Sequence, residues 1–152
     1  MELEIARKKF DTFLRKQGLR VTEPRGEVIR LAWSTHDHFS ADELHAWSQQ
    51  GQFPASRATV YRTLTLLVEG GFLAEFDAGQ GRKLYEHILG HQHHDHLLCT
   101  QCGLIVEFRN DRIESLQEEV AEAHSFVLTS HRLTLEGLCL NCQQAAKNRA
   151  EG

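Results

Sequence analysis

The four cysteines of this chain form two Cys-x-x-Cys pairs whose types and spacing suit a metal site. Cys99 and Cys102 precede Cys139 and Cys142, with 36 residues between the two pairs. Two thiolate pairs can supply the four soft ligands of a tetrahedral structural zinc, and such a site stabilises a small domain directly. The alternatives are a redox pair or buried inert thiols. A redox pair would open a helix in a βαβ unit, whereas the residues after Cys102 predict a strand, so structural zinc is favoured.

A histidine-rich segment lies just before the first cysteine pair. Five of the ten histidines fall within ten residues, and they are His87, His91, His93, His94 and His96. Asp95 lies among them. Imidazole and carboxylate groups beside a thiolate site suggest a second, harder metal centre. The sequence therefore predicts more than one metal site.

The elements that must position these ligands begin with helices. An amphipathic helix is predicted over residues 3–17, and a second follows Thr22. Ser40 opens a third helix with a capping-box pattern, and Ser56 can cap a fourth. The fourth helix has an apolar face that can pack on a core and an opposite polar face.

A β-hairpin is predicted after these helices. Residues 72–76 alternate between apolar and polar types, a glycine-rich turn follows, and residues 82–86 form the returning strand. Helices followed by a two-stranded ribbon are the order of a winged helix-turn-helix domain, which we expect over residues 1–87.

The second half of the chain predicts a small α/β domain over residues 93–152, after a hinge over residues 88–92. Strands are expected around the first cysteine pair, and Asp111 is expected to cap an amphipathic helix. Residues 126–138 are rich in β formers, and the polar tail after Cys142 is expected to be frayed. The predicted fold class is therefore α+β.

Composition and charge limit the class of protein. The 152 residues are 41% hydrophobic and 25% charged, which is typical of a folded chain. No stretch reaches the roughly 18 to 20 apolar residues of a membrane span, and the N-terminus lacks a signal-peptide core. We therefore expect a cytoplasmic protein with reduced thiols. Residues 1–30 carry eight basic against five acidic side chains, so a local basic surface is available for phosphate contacts.

Four strings in this chain resemble motifs of the ferric uptake regulator (Fur) superfamily, in the same order and at compatible spacing. They are Gly-Leu-Arg-Val-Thr at 18–22, Ala-Thr-Val-Tyr-Arg at 58–62, the His/Cys run at 93–103 and Val-Glu-Phe at 106–108. The resemblance implies a dimeric, metal-responsive bacterial transcription factor, not an enzyme. Its N-terminal winged helix would bind DNA and its C-terminal domain would dimerise.

The resemblance also implies which residues contact DNA. They are Arg20, Arg57, Thr59, Tyr61 and Arg62. Tyr61 and Arg62 would reach the major groove from the fourth helix, with Arg57 and Thr59 on the backbone. Arg20 would enter an AT-rich minor groove, where narrowing deepens the negative potential. In the alternative interpretation, Tyr61 is partly core and Arg62 is an ordinary solvated charge.

Two further metal sites are implied in the same way. A regulatory site between the domains would use His38, Glu86, His96 and Glu107, with His94 as a candidate fifth member. A site within the dimerisation domain would use His93, Asp95, Glu114 and His131. Because side chains alternate along an extended segment, neighbouring residues from 93 to 96 face opposite sides and one strand can serve both sites. His91 is left unassigned.

The donor types limit which metals the regulatory site would bind. Nitrogen and oxygen ligands suit Fe(II), with Mn(II), Co(II) and Zn(II) as alternatives. By resemblance, zinc-uptake regulators often use a cysteine there and peroxide sensors carry aspartates, whereas this chain has Glu86 and Glu107. We therefore expect an Fe(II)-dependent repressor that binds AT-rich palindromic operators of metal-uptake genes. Zinc-uptake and peroxide-sensing regulators remain the alternatives, and the sequence does not decide whether dimers pair into a dimer of dimers.

A metallohydrolase is the alternative from a different class. It would need a metal with an open coordination position and a nearby general base. The sequence contains no HExxH helix, P-loop or nucleophile motif, which disfavours this interpretation. A zinc-ribbon interaction module would leave the winged helix without a role.

Overall fold

The computed structural model describes residues 2–35, 37–79, 81–90 and 93–150. The chain divides into two compact units, residues 1–92 and residues 93–152. Residues 91 and 92 of the predicted hinge, and with them His91, lie outside the described residues.

Unit 1 contains four helices followed by a β-hairpin, as the sequence predicts. These elements are α1 (Leu3–Lys16), α2 (Glu23–Ser34), α3 (Ala41–Ser48), α4 (Arg57–Glu69), β1 (Leu73–Asp77) and β2 (Lys83–His87). The predicted winged helix-turn-helix order, and with it the α+β class, is confirmed.

Side-chain caps fix where α3 and α4 begin. The hydroxyl of Ser40 accepts from the backbone N–H of Glu43 at 3.2 Å, and the Glu43 carboxylate accepts from the backbone N–H of Ser40 at 2.7 Å. This reciprocal pair is the predicted capping box. Ser56 accepts from the backbone N–H of Thr59 at 3.2 Å, which satisfies one free donor at the start of α4.

The core of unit 1 holds α4 by one face. Val60, Leu64 and Leu67 are fully buried, and they join a cluster that includes Phe10 of α1 and Ile29 of α2. Burying side chains of this size contributes about 1.5–3 kcal/mol each. The opposite face of α4 is exposed and available for a partner.

A backbone bridge ties the segment before α3 to the hairpin. Phe39 donates its N–H to the carbonyl of Tyr85 at 3.0 Å, and Tyr85 donates back to Phe39 at 2.8 Å. The pairing is antiparallel, so the residue before Phe39 lies beside the residue after Tyr85. This arrangement brings His38 next to Glu86.

Unit 2 is a three-stranded sheet with two helices. Its elements are β3 (Asp95–Cys99), β4 (Ile105–Phe108), α5 (Asp111–Ala123), β5 (Thr134–Gly137) and α6 (Leu140–Ala150). The strand order is β4-β3-β5, with β4 antiparallel and β5 parallel to β3. The central strand β3 therefore carries the histidine-rich segment into the first cysteine pair. No helix in the described ranges is both long enough and apolar enough to cross a bilayer.

Two expectations for unit 2 are wrong. The cap of α5 is Asn110 and not Asp111, because the Asn110 side chain accepts from the backbone N–H of Arg112 at 3.0 Å. The tail after Cys142 is part of α6, as its alanine-rich composition favours a helix. Within the β-rich residues 126–138, Thr134–Gly137 form β5, which pairs with β3.

Much of the apolar surface of unit 2 is uncovered. Helix α5 has no buried residue, although its apolar residues form one stripe. The exposed large hydrophobic residues of this unit are Leu97, Leu104, Val106, Leu116, Val120, Phe126, Val127, Leu128, Leu135, Leu138 and Leu140. An apolar surface of this kind is typical of a protein interface.

Candidate metal centres and DNA-binding face

The four cysteines converge at one end of the sheet of unit 2. Cys99 ends β3, Cys102 lies in the following turn, Cys139 follows β5 and Cys142 lies in the first turn of α6. Their Sγ atoms all lie within 4.8 Å of one another, and all four are free thiols. The parallel pairing of β3 with β5, which sets Cys99 opposite Gly137, brings the two halves of the set together.

The local environment gives the thiols of Cys99 and Cys142 different pKa values. A hydrogen bond from the backbone N–H of Cys139, at 3.3 Å, lowers the pKa of the Cys99 thiol to about 6. Burial raises the pKa of the Cys142 thiol to about 12. Four adjacent thiolates need a cation to coexist, and a soft divalent ion such as zinc fits this donor set.

A second donor set lies around the start of β3. His93 and Asp95 come from the β3 segment, Glu114 from α5, and His131 from the loop before β5. One ligand atom from each lies within 4.8 Å of the others. Nε2 of His93 is 3.2 Å from Oδ1 of Asp95, and Nε2 of His131 is 3.2 Å from Oε2 of Glu114.

Several polar atoms of this second set are buried without a hydrogen bond. Among the described residues, Oδ2 of Asp95, Oε1 of Glu114 and Nε2 of His131 find no hydrogen-bond partner. Buried polar atoms left unsatisfied are costly, and a metal ion would satisfy all three. The donor set therefore fits a cation that prefers nitrogen and oxygen.

Gln117 is a residue that the sequence interpretation missed. Its Oε1 is also buried and has no hydrogen-bond partner in the described part of the chain. It lies one turn after Glu114 on α5, and residues three apart share a helix face. An amide oxygen at this spacing from a ligand carboxylate was the signal that could have found it.

The remaining metal candidates form a pair in unit 1 and a trio in unit 2. In unit 1, Nε2 of His38 lies 3.2 Å from Oε2 of Glu86, and both side chains are about nine-tenths buried (exposed fractions 12% and 10%). In unit 2, the rings of His94 and His96 are 5.2 Å apart at 81°, and Nε2 of His94 is 3.7 Å from Oε1 of Glu107. His96 also faces Glu107 in the β3–β4 register.

The polar face of α4 carries the predicted DNA contacts. Arg62 and Tyr61 are exposed, and so is Arg20 before α2. Thr59 is half-buried, with its hydroxyl 2.9 Å from that of Ser56. The helix thus exposes one aromatic and two cationic side chains, counting Arg57 in its first turn.

A residue of α3 lies against this face and was not foreseen. Oδ1 of Asp42 accepts a hydrogen bond from Nη1 of Arg57 at 2.7 Å and a longer one from the hydroxyl of Tyr61 at 3.4 Å. No sequence pattern marks this contact, since the two helices meet only in the folded unit.

Comparison with known proteins identifies the family. Residues 16–136 match the model of the ferric uptake regulator family. The chain belongs to the ferric uptake regulator family. Members of this family are metal-responsive, DNA-binding transcriptional regulators and not enzymes, so the metallohydrolase alternative is excluded.

Individual relatives match over most of the chain. The chain is 35% identical over 150 residues to the ferric uptake regulation protein of Campylobacter upsaliensis, with 97% of this chain and 95% of the relative covered. It is 38% identical over 133 residues to that of Rhizobium leguminosarum bv. viciae, with 88% and 93% covered.

Solved structures agree with this membership. The Helicobacter pylori ferric uptake regulator, described as having three functional metal-binding sites, superposes with a TM-score of 0.82 at 30% identity, covering 94% of this chain and 95% of that one. A zinc-bound manganese uptake regulator matches with a TM-score of 0.60 at 37% identity, covering 87% and 99%. Fur-family structures thus include proteins named for different metals.

Proposed function

We propose that this chain is a homodimeric, Fe(II)-dependent transcriptional repressor that binds AT-rich palindromic operators of metal-uptake genes. The observation that carries the proposal is that both donor sets outside the cysteine cluster consist of histidine and carboxylate groups, while the four thiols are gathered elsewhere. Such ligands suit Fe(II) and related hard or borderline ions. The cysteine cluster holds a structural zinc.

The regulatory metal is proposed to join the two units. His38 and Glu86 would provide its ligands from unit 1, and His96 and Glu107, with His94, from unit 2. Each half is supported by its own geometry, since His38 and Glu86 are adjacent and so are His94 and Glu107. A metal that needs both halves biases the hinge toward one orientation, and this orientation would match two half-sites on DNA.

The set around Asp95 is proposed as a further metal site, with the amide oxygen of Gln117 as an additional donor. A relative described as having three functional metal-binding sites makes three sites a reasonable expectation for this chain. Because β3 alternates, the Asp95 site and the His96 ligands use opposite faces of one strand.

The homodimer is proposed to form through the uncovered apolar surface of unit 2. Val120 is 61% exposed and Phe126 is 71% exposed, which a stable monomer would not favour. In Val120→Glu, dimer affinity should weaken at least about tenfold, because a buried valine contributes about 1.5–3 kcal/mol. Sedimentation equilibrium measures this.

The matched control for Val120→Glu is Ser115→Glu, which adds the same charge about 140° around α5 from Val120. Ser115 is exposed and lies off the apolar stripe, so this variant should dimerise like the parent. Equal weakening in both variants would argue against this interface.

The test of function is operator binding by zinc-loaded protein titrated anaerobically with Fe(II), Mn(II) and additional Zn(II). We expect tight binding at buffered Fe(II) that survives mild peroxide. Arg62→Ala and Arg20→Ala should each weaken operator binding, by about 1–3 kcal/mol for a base contact. Wild-type affinity in both variants would refute the assigned DNA face.

Ligand variants separate the two non-cysteine sites. His96→Ala should abolish the Fe(II) response if the site joining the units is the sensor, while Asp95→Asn should leave part of it. His124→Ala is the control, since His124 is exposed at the end of α5. A response to zinc alone would favour a zinc-uptake regulator, and loss of binding with oxidation of a ligand histidine would favour a peroxide sensor.

A further inference from the structure

Asp42 is the acidic residue that contacts the predicted DNA-binding face of α4. Its Oδ1 binds Nη1 of Arg57 at 2.7 Å, and the Tyr61 hydroxyl reaches the same oxygen at 3.4 Å. Both partners of the ion pair are 63% exposed, so solvent reaches them and a phosphate can replace the carboxylate. One carboxylate oxygen thus engages two side chains on the face proposed to meet DNA.

We propose that Asp42 increases the specificity of this interface for operator DNA, because it restrains Arg57 from binding the backbone phosphates of DNA of any sequence. The inference rests on the proposed DNA-binding function of α4. Non-specific binding depends almost entirely on phosphate neutralisation by cations. A carboxylate that occupies Arg57 removes one such cation.

Operator binding is affected differently by the same carboxylate. On an operator, the base contacts proposed for Tyr61 and Arg62 seat α4 in the major groove, and Asp42 supports the position of the Tyr61 hydroxyl. Loss of the carboxylate frees Arg57 but also removes this support. Asp42 therefore weakens non-specific binding more than it weakens operator binding.

The test compares Asp42→Asn with the wild type, both metal-loaded, on an operator duplex and a scrambled duplex of equal length across a salt series. We expect two- to fivefold tighter binding to the scrambled duplex, about the size of one exposed ion pair. The slope of log affinity against log salt on this duplex should steepen by about 0.9, as one cation is added. The ratio of operator to scrambled affinity should fall by two- to fivefold.

Two further variants isolate the cause. Glu69→Gln removes one charge at the far end of α4, about 18 Å along the helix from Arg57 and beyond the Debye length of about 10 Å, so it should leave the ratio unchanged. In an Arg57→Gln background, Asp42→Asn should no longer change the salt slope. Thermal unfolding monitors the fold of each variant.

The outcomes separate this inference from the proposed function. An unchanged affinity ratio in Asp42→Asn, an equal change in Glu69→Gln, or a slope change that persists without Arg57 would overturn the role of Asp42 alone, provided that the wild type binds the operator. Absence of metal-dependent operator binding by the wild type would overturn both.

Discussion

The imidazole rings of His93 and His131 meet edge to face, with centroids 4.1 Å apart at 72°. Nε2 of each ring faces the same atom, Oδ1 of Asp95, at 3.2 Å and 3.9 Å. Asp95 is only 1% exposed, so its charge needs a buried cation or proton nearby. Two rings from distant segments that face one buried carboxylate support the metal site that we propose around Asp95.

Asp95→Asn should remove this site while keeping the shape of the side chain. We expect the affinity for the metal bound outside the cysteine cluster to fall at least about tenfold, since even outer-sphere changes cost 10- to 100-fold. Competition with a chelating fluorophore, on protein with its cysteine site loaded, measures the change.

Asp111→Asn is the control for this loss, because Asp111 is exposed at the start of α5 and belongs to none of the donor sets. Its metal affinity should equal that of the parent. Undiminished metal affinity in Asp95→Asn would remove Asp95 from the ligand set.

Cys102→Ser should release the structural zinc and unfold unit 2. Metal binding of this kind contributes about 10–16 kcal/mol in small zinc domains, more than a small core supplies alone. Hydrogen exchange of the β3 and β5 amides should become fast. Both tryptophans, Trp33 and Trp47, belong to unit 1, so their fluorescence should stay native. Slow exchange in zinc-free protein would contradict a structural role for the metal.

Gly51→Ala should destabilise unit 1 by about 1–3 kcal/mol, the usual range for overpacking. An added Cβ would collide with Oε1 of Glu27 and lie 2.9 Å from its Cδ and 3.4 Å from the carbonyl of Ser48. Glu27 cannot move freely, because Arg30 donates to both of its carboxylate oxygens, at 2.9 Å and 2.7 Å. Urea unfolding followed by tryptophan fluorescence measures the loss.

Gly26→Ala is the matched comparison within the same unit. There the nearest atom is Nη2 of Arg7 at 2.8 Å, the end of a flexible and partly exposed side chain. The gain in helix propensity, about 1 kcal/mol, should offset or exceed the displacement of Arg7. Similar destabilisation by both alanines would show that the carboxylate of Glu27 is not the obstacle.

Glu27 should make the stability of unit 1 depend on pH in acid. Hydrogen bonds from Arg30 hold the pKa of the Glu27 carboxyl below its ordinary value of 4.5. A lowered native pKa stabilises the fold above pH 4.5, and this contribution is lost as the pH falls through the native pKa.

Glu27→Gln lacks this titration, so the gap in free energy of unfolding between parent and variant should narrow below pH 4.5 and stay constant near neutrality. Subtracting the two curves cancels the other titrating groups. A gap that is the same at pH 3.5 and at pH 7 would show that Glu27 has an ordinary pKa.

Local signals in the sequence predicted unit 1 well. Ser40 and Ser56 begin their helices because their side chains accept from the backbone three residues later, and such contacts are visible in sequence. The sequence did not show which of the β-rich residues 126–138 would pair, because pairing with β3 decides which residues join the sheet. Tertiary pairing, and not propensity, sets those limits.

The candidate sites were likewise predicted from sequence only in part. Cysteine spacing indicated the thiol cluster, and strand alternation indicated that Asp95 and His96 serve different faces. Neither signal could reveal the contact between Asp42 and Arg57, because this contact depends on how α3 and α4 are rotated against each other. Residues that act through tertiary contact leave no periodic trace in the sequence.

Side chains alternate between the two faces of β3, so the position of a residue along this strand decides which donor set it can join. Asp95 belongs to one donor set and His96 to the other, so a shift of one residue in the pairing of β3 with β4 would exchange the two faces and disrupt both sets. A single inserted residue between His94 and Cys99 is therefore more damaging than a pair of inserted residues, which restores the original facing. Because both proposed metal sites draw ligands from β3, an insertion or deletion in this strand affects both sites at once.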